Sequence, residues 1–315
     1  MIRAVDIRGE RFLADLERIQ QRVDAMQRQI SSGLRVSSPS DAPDHVVEIL
    51  SVRARLDLNR QIQTNLSRAK AEVETADQAL QQAVKVVERA LQLGVQGANA
   101  TQTAATRKML GTEVRGLLEQ MVALADTQAE GRYLFSGDRD QIAPYSLDLE
   151  SPNGVSQYAG APATREVLHP AGTRFLIARS GDEIFDHPDA SVFAALNALR
   201  AALENGPTVA EGEPGYQEQF AAQTEGIEQA LGDLRKAHAH LNVQLGFYGA
   251  VENKIADAAT FADRAEVREQ NLLSVLRDAD IVTAALSLSQ ALNHQQAALA
   301  AGTRLRSGSL FDYLA

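Results

Sequence analysis

The chain has 315 residues, enough for two or three domains, with a net charge of −10 and a pI of about 5.2. An acidic balance of this size argues against general nucleic-acid binding, which needs a basic face. The absence of cysteine excludes disulfides, thiol catalysis and cysteine-ligated zinc. Charge is unevenly placed: from Arg132 to Glu225 there are 6 basic and 14 acidic residues, whereas the first 60 residues hold 10 basic and 9 acidic ones. No run reaches about 18 consecutive apolar residues, so no membrane span is expected. The opening Met1 to Asp6 lacks the apolar stretch of a cleaved secretory signal, so the expectation is a cytoplasmic chain or one exported without signal cleavage.

The first predicted helix runs from about Gly9 to Ile30. Its apolar residues Phe12, Leu16, Ile19, Val23, Met26 and Ile30 are spaced 4, 3, 4, 3, 4, the figure of a narrow helix–helix seam. Gly33 suits a left-handed cap, and Ser37 to Pro43 is a turn cluster with Pro43 at the first position of a second helix. That helix keeps a near-heptad stripe from Ile49 to Val87 and, ending near Val95, would measure roughly 80 Å at about 1.5 Å per residue. Gly94, Gly97 and Asn99 are read as its end. A third helix carries Leu110, Val114, Leu117, Met121 and Leu124, and the short break before it predicts an antiparallel hairpin.

The texture changes after Gly131. Prolines recur, Asn153-Gly154 is a turn pair before an alternating Val155 to Tyr158, and Arg165 to His169 with Thr173 to Arg179 flank a Pro170-Ala171-Gly172 turn. These are predicted strands, followed by a short helix from Ser191 to Glu204. Helical spacing returns from Ile227 to Phe261. A last helix is expected to start near Asp278-Ala279-Asp280, with a seam of Ile281, Ala285, Leu288, Leu292, Gln295 and Leu299. The predicted class is mainly α with an inserted β-rich module, a long antiparallel bundle or coiled coil built from both chain ends. Its expected parts are terminal helices at 1–42 and 276–315, a bundle at 43–131 and 216–275, and a β-rich insertion at 132–215.

Chemistry is sparse. His238 and His240 diverge by about 200° on a helix and cannot share a metal. There is no phosphate-binding glycine loop and no nucleophile elbow. No catalytic residue, cofactor or metal is expected, and neither nucleic acid nor membrane is expected as a partner. A heptad stripe is more often internal core than a seam between molecules. Its position at both chain ends, where chains usually fray, favours segments that order on assembly.

The blocks Gln29 to Pro43 and Asp278 to Ile281, the latter with the Ser309-Leu310-Phe311-Asp312-Tyr313-Leu314 ending, resemble the terminal blocks of bacterial flagellins and their relatives. Gly131 to Gly137, Gln157 to Gly160 and Gly181 to Phe185 are similar to the branch of that superfamily that joins hook to filament. The resemblance implies a structural subunit of the flagellum, outside the cell, exported unfolded through the flagellar type III channel. It implies as partners hook-associated protein 1, flagellin, neighbouring copies of the chain and an export chaperone. The assembly interface it implies is Leu13, Leu16, Ile19, Val23, Met26, Ile30, Leu288, Leu292, Leu299, Leu310, Phe311 and Leu314. Filament flagellin and a cytoplasmic coiled-coil adaptor are the alternatives.

Overall fold

The computed structural model describes residues 2–209 and 212–311, with side chains described for 10–209 and 212–302. Helices dominate: α1 (Ile2–Ser32), α2 (Pro43–Ala98), α3 (Ala104–Ala125), α4 (Gly181–Phe185), α5 (Val192–Glu204), α6 (Tyr216–Arg277) and α7 (Ile281–Phe311). Four short strands complete the order: β1 (Gln128–Ala129), β2 (Arg132–Tyr133), β3 (Glu166–Leu168) and β4 (Arg174–Leu176). The chain divides into two compact units, one made of residues 1–60 with 264–315 and the other of residues 61–263.

The middle unit is built on the heptad stripe of α2. Val73, Leu80, Ala83, Val87 and Leu93 are buried with Val114, Leu118 and Met121 of α3 and with Leu234, Leu241 and Tyr248 of α6. The predicted α2–α3 hairpin is present. Thr103 caps α3 by accepting from the Thr106 amide, and Arg89 reaches across to Glu113 at 2.6 Å. Gly94 and Gly97 lie in the final turns of α2, which ends at Ala98, just before Asn99, where the sequence places its end. They are close-approach points: a Cβ on Gly94 would stand 2.6 Å from Leu231 Cδ2.

The insertion is less of a sheet than its sequence suggests. β1 pairs with β2, and β3 with β4, both antiparallel and separately; β3 and β4 flank the turn at Pro170 to Gly172 as expected. Val155 to Tyr158 is not a strand; Val155 makes only an isolated bridge to Leu147. The reason is local. The Ser156 hydroxyl accepts from the Ser146 amide at 3.0 Å, and the Tyr158 hydroxyl donates to the Phe135 and Ala161 carbonyls at 2.9 and 3.1 Å. Side chains thus take backbone groups that a ladder would use. An aromatic cluster holds the insertion together, with Phe135 edge-on to Phe185 at 5.3 Å and Tyr145 at 4.7 Å from Phe193. Glu72 of α2 anchors it through Arg132 at 2.9 Å and Arg165 at 2.6 Å. α5 packs on α3 and is capped by Ser191, whose hydroxyl accepts from the Ala194 amide.

The other unit pairs α1 with α7. A small second core of Val36, Ile49, Val52, Leu56, Leu273 and Leu276 lies beside the turn that follows α1.

Candidate assembly surfaces

The two sequence blocks that carry the flagellin resemblance fold onto one another. α1 stops at Gly33, whose φ of 70° is the left-handed value a glycine tolerates, and its amide returns to Gln29 O at 2.9 Å. The chain then docks on the end of α6. The Arg35 and Val36 amides both donate to Arg277 O, at 2.7 and 3.0 Å, and the Ala279 amide donates back to Gly33 O at 2.9 Å. Arg35 also donates through its guanidinium to Leu276 O at 2.8 Å. Val36 inserts into the small core between Ile49 and Leu276.

Two carboxylates fix this clasp. Asp41 accepts from the Ser37 and Ser38 amides at 2.9 and 2.7 Å and from the Ser37 hydroxyl at 2.8 Å. These bonds favour the ionised form and hold its carboxyl at about 2. Asp280 caps α7, accepting from the Val282 and Thr283 amides at 3.0 and 3.2 Å and from the Thr283 hydroxyl at 2.7 Å; the same bonds lower its pKa. The Gly33 to Val36 segment and the Arg277 to Ala279 segment, about 240 residues apart in sequence, thus lie side by side.

The helical seams match their predicted pattern on α1 and depart from it on α7. On α1, Val23 is buried and Phe12, Leu16, Ile19, Met26 and Ile30 are half-buried, while Leu13 lies outside the stripe and is 58% exposed. On α7 the inner residues are Ala284, Leu288, Ala291, Gln295, Ala298 and Gly302. Of the predicted seam, only Leu288 and Gln295 lie there. Ile281, Leu292 and Leu299 are 50%, 37% and 50% exposed, and Ala285 is exposed as well. Size complementarity explains the shift. The large residues of α1 need small ones opposite, and a Cβ on Gly302 would meet the Phe12 ring at 2.6 Å. Within the stripe the Gln295 amide donates to the Gln20 side chain. Leu314 lies outside the described residues, and the side chains of Leu310 and Phe311 are not among those described.

The consequence is a terminal unit with apolar surface to spare. Leu13, Val47, Leu50, Leu58, Val275, Val282 and Leu286 are all more than half exposed. Sequence reasoning missed most of these because it followed a single stripe per helix; Val282 and Leu286 form an i, i+4 pair one step round α7 from it. Among the described residues no His, Asp and Glu side chains assemble into a three-ligand metal set, and no helix is long and apolar enough to cross a membrane.

Helices from both chain ends clasped together, a helical hairpin and a compact insertion make up the molecule. The pattern defining the bacterial flagellin N-terminal helical region matches residues 11–140. Along most of its length the chain is similar to flagellar hook-associated protein 3 of Escherichia coli (strain K12), with 27% identity over 248 residues, covering 73% of this chain and 76% of that protein. Flagellin B of Helicobacter pylori (strain 26695) is 30% identical, but over 122 residues that cover 37% of this chain and 24% of that protein. The crystal structure of a hook-associated protein-3 from Legionella pneumophila shares the fold, with a TM-score of 0.62 at 17% identity over 72% of this chain and 98% of its own. The resemblance carried by the terminal blocks thus extends to hook-associated protein 3.

Proposed function

We propose that the chain is a structural subunit of the bacterial flagellum that forms the junction between hook and filament, outside the cell. The observation that carries this reading is the clasp. The two terminal blocks resembling flagellin meet side by side, on a unit that keeps much of its apolar surface uncovered. The similarity to hook-associated protein 3 over about three quarters of both chains supports the junction role over the filament role.

In this reading α1 and α7 enter the inner tube of the axial structure as a pair, and the residues they leave exposed pack against neighbouring copies, hook-associated protein 1 below and flagellin above. Leu13, Leu292 and Leu299 are the outward members of the proposed interface, with Leu310, Phe311 and Leu314 extending it. Leu16, Ile19, Val23, Met26, Ile30 and Leu288 hold the pair together from inside. Covering each exposed large apolar side chain contributes about 1.5–3 kcal/mol, less the cost of ordering it, so a few contacts lock a subunit in place. Residues 43–131 with 216–275 serve as the tube wall, and 132–215 as the outward module. The subunit leaves the cell through the type III channel after a chaperone has held its C-terminal helix, and it performs no catalysis.

The test is the double variant Leu292→Asp with Leu299→Asp. Both side chains point away from α1, so the monomer should fold with unchanged helicity while filaments fail to attach to hooks. Normal filaments in that strain would remove the outward face from the interface. A filament flagellin would polymerise without limit when seeded on filament fragments; the junction reading expects growth to stop after a short layer.

A further inference from the structure

A cleft lies between the insertion and α6. It encloses about 460 Å³ beside α4 and α6 and is lined by Arg179, Glu183, His187, His240, Gln244 and Phe247, with Leu176 at its edge. Arg179 is held in place from two sides. Its guanidinium sits 4.3 Å above the centre of the Phe247 ring and donates through Nη1 to Gln244 Oε1 at 2.8 Å, and Gln244 is itself buried. The backbone amide of Arg179 is tied to the Tyr248 hydroxyl at 3.3 Å. Among the described residues this cation has no carboxylate partner within ion-pair distance, so the remaining faces of its donor fork are uncommitted.

Two imidazoles stand beside it. The rings of His187 and His240 are 4.8 Å apart. His240 Nε2 lies 2.8 Å from Glu183 O, to which it donates when protonated, and 3.2 Å from the Gln244 side-chain nitrogen, from which it accepts when bare. His187 Nδ1 accepts from the Asp189 amide at 3.3 Å, which leaves the proton of the neutral ring on Nε2. The other charges nearby are occupied or opposed. Asp186 accepts from the Ser191 hydroxyl and the Asn153 amide, and Lys236 is bound to Asp233 and sits in the field of Asp189. Glu183 is the one carboxylate side chain in the lining.

We propose that this cleft binds a small monocarboxylate with a flat apolar body. The Arg179 fork takes the carboxylate through two parallel N–H bonds, the geometry in which guanidinium surpasses other cations. Phe247 and Leu176, the latter 47% exposed, cover the body. Glu183 disfavours dianions such as sulfate, and the arginine excludes a metal cation from between the imidazoles. The carboxylate belongs to a free metabolite-sized molecule, and its binding does not depend on the junction reading.

The test titrates the full chain with benzoate while following the His187 and His240 ring resonances. Saturable shifts are expected, about tenfold weaker with sulfate and absent with benzyl alcohol, the neutral counterpart. Arg179→Gln should weaken benzoate binding about tenfold or more, and Arg179→Lys should fall between. Sedimentation checks the source: a wild-type monomer that binds benzoate supports the free-ligand site, and a dimer that benzoate dissociates would overturn it. Equal shifts with benzyl alcohol, no saturation with benzoate, or wild-type affinity in a folded Arg179→Gln variant would overturn the proposal. Should Arg179→Gln fail to fold, the benzoate–benzyl alcohol contrast and Arg179→Lys decide it.

Discussion

The two units of this chain handle apolar surface in opposite ways. The middle unit closes on itself: the largest fully buried side chains, among them Tyr248, Phe135, Phe185, Phe193, Leu118 and Met121, all fall within residues 61–263. The terminal unit, about half as long, holds eleven of the eighteen large apolar side chains found exposed among the described residues. Its largest stretch of helix pairing, α1 on α7, is closed with alanine and glycine on one side, which buries little area per contact. A self-sufficient middle and under-covered ends are what a subunit needs if it must stay folded alone and still be driven into an assembly.

This contrast can be broken most forcefully in the middle unit. Phe193→Ala removes a ring packed against Tyr145 and Phe185 and should cost about 3–5 kcal/mol in denaturant unfolding. By comparison Leu292→Asp should change monomer stability by less than about 0.5 kcal/mol, as for an ordinary surface position. A loss at Leu292 equal to that at Phe193 would show that α7 is a core helix in the free subunit. Glu72→Ala comes next. It strips Arg132 and Arg165 of a shared, largely buried carboxylate, leaves them Asp140 at 3.7 and 3.5 Å and, for Arg132, Glu130 at 3.8 Å, and should cost about 2 kcal/mol.

Gly302→Leu sharpens the comparison at the seam. The added side chain must displace the Phe12 ring, so the α1–α7 pair should loosen by about 1–2 kcal/mol, read as faster proteolysis within α1 while unfolding of residues 61–263 is unchanged. The smallest effect is expected at the clasp. Because folding holds the Asp41 carboxyl at about 2, below its ordinary 3.8, its contribution is fully present above the ordinary value and disappears as pH falls through about 2. The stability gap between wild type and Asp41→Asn should therefore be constant at neutral pH and close between about pH 4 and pH 2. A gap that persists at pH 2 would mean that the side chain acts through shape and not charge.

Much of this was readable from residues alone, and the exceptions have physical causes. Pro43, Gly33 and Asp280 announced their helix ends because capping chemistry is local. The α1 seam was legible because its residues are large. The α7 seam was misplaced because periodicity weights leucine over alanine, whereas a helix facing Phe12 and Leu16 turns its small side inward. Val155 to Tyr158 alternates like a strand, but Ser156 and Tyr158 spend their hydroxyls on neighbouring backbone groups, which no pattern of hydrophobicity reveals. Gly94 and Gly97 marked the end of α2 correctly, but their close packing on Leu231 and Leu203 was hidden because these partners are distant in sequence. The cleft around Arg179 was invisible for the same reason: its lining comes from β4, α4 and α6, and His240 gave no sign of His187 as a neighbour.

The central claim is that the chain ends are incompletely covered until neighbours arrive. Backbone hydrogen exchange, measured on the free subunit and again on subunits incorporated at hook ends, tests it directly. The account predicts that α1 and α7 exchange orders of magnitude faster than α2 and α6 within residues 61–263 in the free subunit, and become slow on incorporation while the middle unit does not change. Protection of α1 and α7 equal to that of the middle unit before assembly, with no further gain afterwards, would contradict it.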